Sequence, residues 1–384
     1  MGTVLLLLIA IGAILRMTMP FLGHNYDAES FTIVAKLVSQ GKNIYANTTR
    51  YSYSPLYGYV FGLSYAATSL AVPTGTDNVF RFVMPIFLTL ADIGITLFLF
   101  KRFGLLPAAL FILNPISIII SGYHNQIDNV AILLGLLAAD YFDKSKNLGR
   151  NSWLSLILLG LSLSVKQTLI AFPLWLAAKR KKWSERIIVL AVPFVILILF
   201  FLPSVPGGSP GIVENVIKYR SSNNAPFFFS VLPRFINTHI SSYVIFYFSL
   251  LAGAIIFRQK LALTSLLYYL LALVIFSPSV TPQYLVIPVI SLSVFPNPFY
   301  LLYTLLGTLD FTVFNIDELH LRGLARFVPQ MISNEITTYR GATDWMIVFL
   351  FLGFLWMFFG NKWMRRIVML FRPANDNRRK HQSE

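Results

Sequence analysis

Asp27 and Glu29 are two carboxylates two positions apart, six to eight residues beyond the apolar segment Leu5 to Phe21. A carboxylate beside a bilayer is costly to desolvate, so it needs water, a partner or a reaction. The stretch Ala28–Gln40 carries Phe31, Val34, Leu37 and Val38 at helical spacing against Glu29, Lys36 and Gln40. That pattern predicts an amphipathic helix lying on a membrane surface. Asp27 is then the N-cap of this helix or a general base, and Glu29 a partner of its dipole. The roles are compatible, because a capped carboxylate is held still and can accept a proton.

Other polar groups interrupt apolar runs. His124, Asn125, Gln126 and Asp128 form a knot after Asn114-Pro115, with Gly122 ending one helix and Asp128 placed to cap the next. The plain reading is a capping turn with a surface histidine; the chemical one is a sugar or phosphate site. Lys166-Gln167 breaks the apolar stretch Trp153 to Leu176. Such a lysine either snorkels or faces an aqueous cavity and an anion, and the half-length segments on each side favour the cavity. Arg234, in a loop with Lys218 and Arg220, is a candidate phosphate contact. Gln283 and Tyr284 give a short span a polar entry.

The elements that must hold these groups are membrane helices. Hydrophobic residues make up 56% of the chain and charged residues 12%. Apolar runs of spanning length recur from 3–21 to 345–360, which predicts an all-α polytopic bundle of about 12 transmembrane helices. The first run lacks a basic start and a small-residue cleavage site, so it reads as a retained helix. With no cysteine, a thiolate metal site or disulfide scaffold is excluded. The net charge of +15 does not point to nucleic acid, because more than half of the 31 lysines and arginines fall in short links and the tail. That is a positive-inside pattern with both termini cytoplasmic, and it holds only if 55–72 does not cross. The segment is therefore expected to be a surface or re-entrant helix within one outer loop, 22–79. Loops 204–240 and 315–344 share that outer side, so function is expected there. No Walker loop, zincin motif, nucleophile elbow or dinucleotide fingerprint is present, and no internal repeat stands out.

The residues resemble a family, the GT-C glycosyltransferases. AsnTyrAspAlaGlu at 25–29 matches the acidic motif of their first outer loop, and TyrSerTyrSerProLeuTyr at 51–57 is similar to the Tyr-Pro-Pro-Leu stretch of that loop. PheArgPhe at 80–82 with Asp92 is similar to the Arg…Asp helix that follows. Residues 114–128 with SerValLysGlnThr at 164–168 resemble the dolichyl-phosphate-glucose glucosyltransferases, and ThrProGlnTyr at 281–284 resembles a motif of the GPI mannosyltransferase I family. Position 54 is Ser where the family has Pro, and the second half of the chain is generic.

The resemblance implies a catalytic module over 1–203 with juxtamembrane helices in its first outer loop, a variable module over 204–360 and a basic cytoplasmic tail over 361–384. It implies an inverting transfer of a hexose, mannose or glucose, from a polyprenyl- or dolichyl-phosphate donor to a glycan, lipid or protein acceptor. Asp27 would be the base, with Glu29 beside it. His124, Gln126, Asp128, Lys166, Gln167 and Arg234 would hold donor phosphate and sugar. Tyr53, Pro55, Arg81, Gln283 and Tyr284 would be structural or bind acceptor. No cofactor is assigned with certainty; a divalent cation near Asp27 and Glu29 stays open, although hard ions want more oxygen ligands than this motif supplies. The absence of an organellar address points to a prokaryotic plasma membrane rather than endoplasmic reticulum. The rival readings are a transporter or flippase of lipid-linked glycans and an outer-face polymerase or ligase. A transporter implies buried charge pairs and repeats, and neither stands out in the sequence.

Overall fold

The computed structural model describes residues 2–145, 147–219, 240–314, 319, 321 and 339–370. Among these residues every regular element is helical. The helices are α1 (Gly2–Leu22), α2 (Tyr26–Ser39), α3 (Ile44–Asn47), α4 (Pro55–Ala71), α5 (Thr76–Phe103), α6 (Leu105–Ile112), α7 (Pro115–Gly122), α8 (Asp128–Asp143) and α9 (Arg150–Val165). They continue as α10 (Phe172–Ala177), α11 (Trp183–Phe201), α12 (Val205–Ile212), α13 (Ser242–Ile256), α14 (Ala262–Ile275), α15 (Val289–Val294), α16 (Pro298–Leu309) and α17 (Tyr339–Leu370).

By length and composition four helical runs can cross a bilayer: Gly2–Leu22, Thr76–Phe103, Trp183–Ile217 and Ala342–Phe359. A fifth is reached if α6 and α7, bent by 50° at their break, count as one span. The expected number of about 12 is not reached on this measure, because the remaining apolar helices are shorter than the roughly 20 residues a straight span needs. Only 17% of the apolar window in the Trp183 run is buried, so its apolar side chains face outward. An exterior of that kind suits lipid rather than water.

Two apolar clusters form. The larger centres on Trp175, Tyr269, Tyr303 and Phe311. The smaller joins α2, α3, α4 and α5 through Phe31, Tyr45, Tyr51, Phe61, Phe80 and Met84, and reaches Ile127 and Val165. Gly62 brings α4 so close to α2 that a methyl group there would overlap Val38. Thus α4 packs along the amphipathic α2, as close packing through its glycines predicts. The expected helix Ala28–Gln40 starts two residues earlier, because the cap is Asn25 and not Asp27: Asn25 Oδ1 accepts from the backbone N–H groups of Asp27 and Ala28. The described part of the stretch read as loop 204–240 is instead helical as far as Ile217, continuing the run from Trp183, and it touches the α2–α3 turn: Asn43 Nδ2 donates to the carbonyls of Ser204 and Pro206. At the other end of the chain, α17 starts inside the stretch read as loop 315–344 and runs into the stretch read as tail. Extending a formed helix costs far less than starting one.

Candidate functional site

The turn between α7 and α8 sets the site. Asn114 caps α7 by accepting from the N–H groups of Ile116 and Ser117. After α7 ends, Asn125 adopts φ 56°, a left-handed conformation that Asn tolerates better than most residues. This reversal carries Gln126 and Asp128 to the start of α8. Asp128 opens α8 without capping it through its side chain, contrary to expectation; its carboxylate is otherwise engaged. On the neighbouring α9, the helix stops at Val165 and Lys166 is extended, with φ −154° and ψ 142°. The Lys166 N–H makes the last bond of the helical ladder, to the Ser162 carbonyl, and the extended backbone there turns its side chain toward α8.

Five side chains then join in a row. Gln126 Nε2 donates to Asp27 Oδ2 at 2.6 Å. Lys166 Nζ donates to Gln126 Oε1 at 3.1 Å and to Asp128 Oδ2 at 2.5 Å. Thr168 Oγ1 donates to the other Asp128 oxygen at 3.1 Å. Lys166 also sits 4.7 Å from the centre of the Tyr53 ring. The lysine is buried, so the sequence expectation of a cation needing an anion holds, and the anion present is Asp128.

Lys166 and Gln167 line a cavity of about 330 Å³, walled by Tyr53, Tyr219, Tyr243 and Tyr284. Burial, reinforced by the carboxylates of Asp27 and Asp128, pushes the Tyr53 phenol well above its ordinary range, so it stays a neutral hydroxyl. Asp27, Gln126 and Asp128 do not line this cavity.

Other expected residues are placed elsewhere. Glu29 is exposed and pairs with Arg50 at 2.9 Å. Arg50 also donates to Ser30 Oγ and the Tyr26 carbonyl, and stacks 3.8 Å from the Tyr26 ring centre. The two motif carboxylates therefore diverge, and a divalent ion held by both is not supported. His124 is buried edge-on to Phe311, with ring centres 5.5 Å apart, which overturns the surface-histidine reading. Pro55 opens α4 in the first helical turn. Arg81 lies near His24, with Nη1 3.4 Å from Nδ1. Gln283 sits on the short turn Pro282–Val286 but does not line the cavity, whereas its neighbour Tyr284 does. Arg234 lies outside the described residues.

Sequence reasoning missed a second polar centre. Arg16 Nε donates to Asp92 Oδ2 at 2.6 Å, and both side chains are wholly buried. The available signal was an arginine and an aspartate at depth in two different apolar runs, since each alone would be prohibitive. With Lys166–Asp128 this gives at least two buried charge pairs among the described residues, correcting the expectation that none stands out. Among the described residues, no three His, Asp or Glu side chains gather as metal ligands. No family model, curated protein or solved structure matches the chain.

Proposed function

We propose that this chain is an extracytoplasmic inverting glycosyltransferase that moves a hexose from a polyprenyl-phosphate carrier to a glycan, lipid or protein acceptor. One observation carries the reading. A carboxylate and an ammonium group, Asp27 and Lys166, are bound by the two ends of one glutamine amide beside an aromatic cavity. Asp27 takes the proton from the acceptor hydroxyl while that oxygen bonds to the anomeric carbon. The bond from that carbon to the phosphate oxygen breaks, and the lipid phosphate leaves with the electron pair. A general base contributes on the order of 10²–10⁴ in rate. Lys166 has three N–H donors, of which Asp128 and Gln126 take two. The third serves the charge that gathers on the phosphate. The tyrosine rings offer flat faces to a sugar ring, and the neutral Tyr53 hydroxyl offers a hydrogen bond.

The proposed topology puts this site on the outer side. The α8 helix has 16 residues, so its ends lie about 24 Å apart. One end holds Asp128, and the other holds Asp140 paired with Arg102 and Lys144. We place the basic end in the cytoplasm with both termini, α4 in the outer layer, and the shorter apolar helices as partial spans of a bundle of about 12, in a prokaryotic plasma membrane. The test is purified protein in lipid nanodiscs with a panel of polyprenyl-phosphate hexoses. Release of free polyprenyl phosphate with an inverted product is expected. No release from any donor with any acceptor class ends the reading.

The buried pairs Arg16–Asp92 and Lys166–Asp128 favour a second reading, a flippase of lipid-linked glycans. Translocation of a labelled lipid-linked sugar in proteoliposomes, with no sugar transfer, selects it.

A further inference from the structure

We infer that Asn129 is a positioning residue that ties the buried Arg16–Asp92 pair to the Asp128–Lys166 site. Its kinetic consequence rests on the transferase reading above. The chemistry begins with the break between α6 and α7. A 50° bend leaves carbonyls at the end of α6 without helical partners, which is costly inside an apolar bundle. Arg16, reaching across from α1, supplies the donor: its Nη1 donates to the Ile112 carbonyl at 2.7 Å. Its Nη2 donates to Ser117 Oγ on α7 at 2.9 Å. Gly12 and Gly122 allow this approach, since a methyl group at Gly12 would press on Ile112, and one at Gly122 would lie 2.6 Å from the Arg16 carbonyl. Arg16 thus fixes α7, the helix that leads into the 123–127 turn.

Asp92 balances that guanidinium and passes the constraint on. Its Oδ2 takes Arg16, and its Oδ1 accepts from Asn129 Nδ2 at 2.6 Å. Asn129 is buried in the first turn of α8, directly after Asp128. The start of α8 is therefore held from both flanks: Lys166 and Thr168 grip Asp128, and Asp92 grips Asn129. Without the second grip, α8 is free to rotate or slide by a fraction of a turn. Asp128, Lys166 and Gln126 move with it, and so does the hydrogen bond to Asp27. A displacement of about 1 Å at a reacting group costs on the order of 10²-fold in rate.

Asn129→Ala tests this cleanly because Arg16 and Asp92 still neutralise each other. The variant also removes the buried Asn129 Oδ1, which has no hydrogen-bond partner. It also leaves the buried Asp92 Oδ1 without its Asn129 donor, so the melting temperature should fall by a few degrees while the protein stays folded. Asn129→Ser is the milder companion should the alanine variant fail to fold. Two measurements run in parallel on the full chain in nanodiscs. Steady-state transfer should show kcat lowered about 10- to 100-fold with donor KM within about twofold. Labelling of Lys166 by an amine-reactive reagent, read by peptide mass spectrometry, should rise several-fold as its cage loosens. If kcat and Lys166 labelling both match wild type in a folded variant, the inference is overturned. If wild type transfers no sugar, the transferase reading fails by itself, and labelling alone decides: raised in the variant supports the tie, unchanged removes it.

Discussion

Asp27 and Lys166 are joined through one side chain: each is hydrogen-bonded to the amide of Gln126, at 2.6 Å and 3.1 Å respectively. The amide donates to the carboxylate and accepts from the ammonium group, so it can only sit one way round. That polarity fixes which partner stands on which side. It places the amide between the proposed proton acceptor and the proposed phosphate contact. Helix α2 supplies Asp27 and the break after α9 supplies Lys166, so the site exists only where the two are docked.

Asp27→Asn should leave the fold intact and remove transfer. Asn25 caps α2, so the carboxylate at 27 is not needed for helix initiation. An asparagine carbonyl can still accept from Gln126 but cannot take a proton from a hydroxyl. Turnover should fall by about 10² or more, with the melting temperature within a few degrees of wild type. Turnover near wild type would remove Asp27 from the mechanism.

Lys166→Met should damage both transfer and stability, because it strands Asp128 as a buried, unpaired carboxylate. Breaking one side of a buried pair costs about 3–5 kcal/mol. The double variant Lys166→Met with Asp128→Leu removes both charges and should recover much of that stability without recovering transfer. Thermal unfolding and donor turnover on the three proteins check this. A stable double variant that transfers normally would show that the pair is structural only.

The Glu29–Arg50 contact should behave as a latch that strong acid releases. The hydrogen bond and charge of Arg50 lower the Glu29 carboxyl below its ordinary range. A lowered acid contributes stability above its unfolded value and loses it as pH falls through the folded one. Glu29→Gln should therefore differ slightly from wild type near neutrality and converge with it in strong acid. Arg50→Ala should cost more, since Arg50 also binds Ser30, the Tyr26 carbonyl and the Tyr26 ring. Melting curves against pH decide it; a gap that widens in acid would contradict the latch.

Sidedness follows from labelling. Tyr26 is 65% exposed at the start of α2, whereas Ala28 is 1% exposed and would shield a cysteine probe. In this cysteine-free chain, Tyr26→Cys and Thr74→Cys should both react with an impermeant maleimide added outside. Labelling of position 26 alone would mean that α4 crosses the bilayer.

Periodicity and composition alone determine that this chain is helical and apolar outside, because helix amphipathicity and run length are local properties of the sequence. The stretch after α1, the polar knot at 124–128 and the break at Lys166 are legible for the same reason: each interrupts a regular pattern. Partnership is not local. Nothing in the spacing of Asp27, Gln126 and Lys166 says that one amide joins them, since they are brought together from three elements far apart in the chain. The cap of α2 went to Asn25 because cap geometry depends on where the backbone first turns helical, which a run of Asn25, Tyr26 and Asp27 leaves open. In the sequence Arg16 is a lone charge in the first apolar run, and Asp92 is one residue of a motif. Only packing puts α1 beside α5 and the broken α6–α7 pair, where burial forces the two charges to meet.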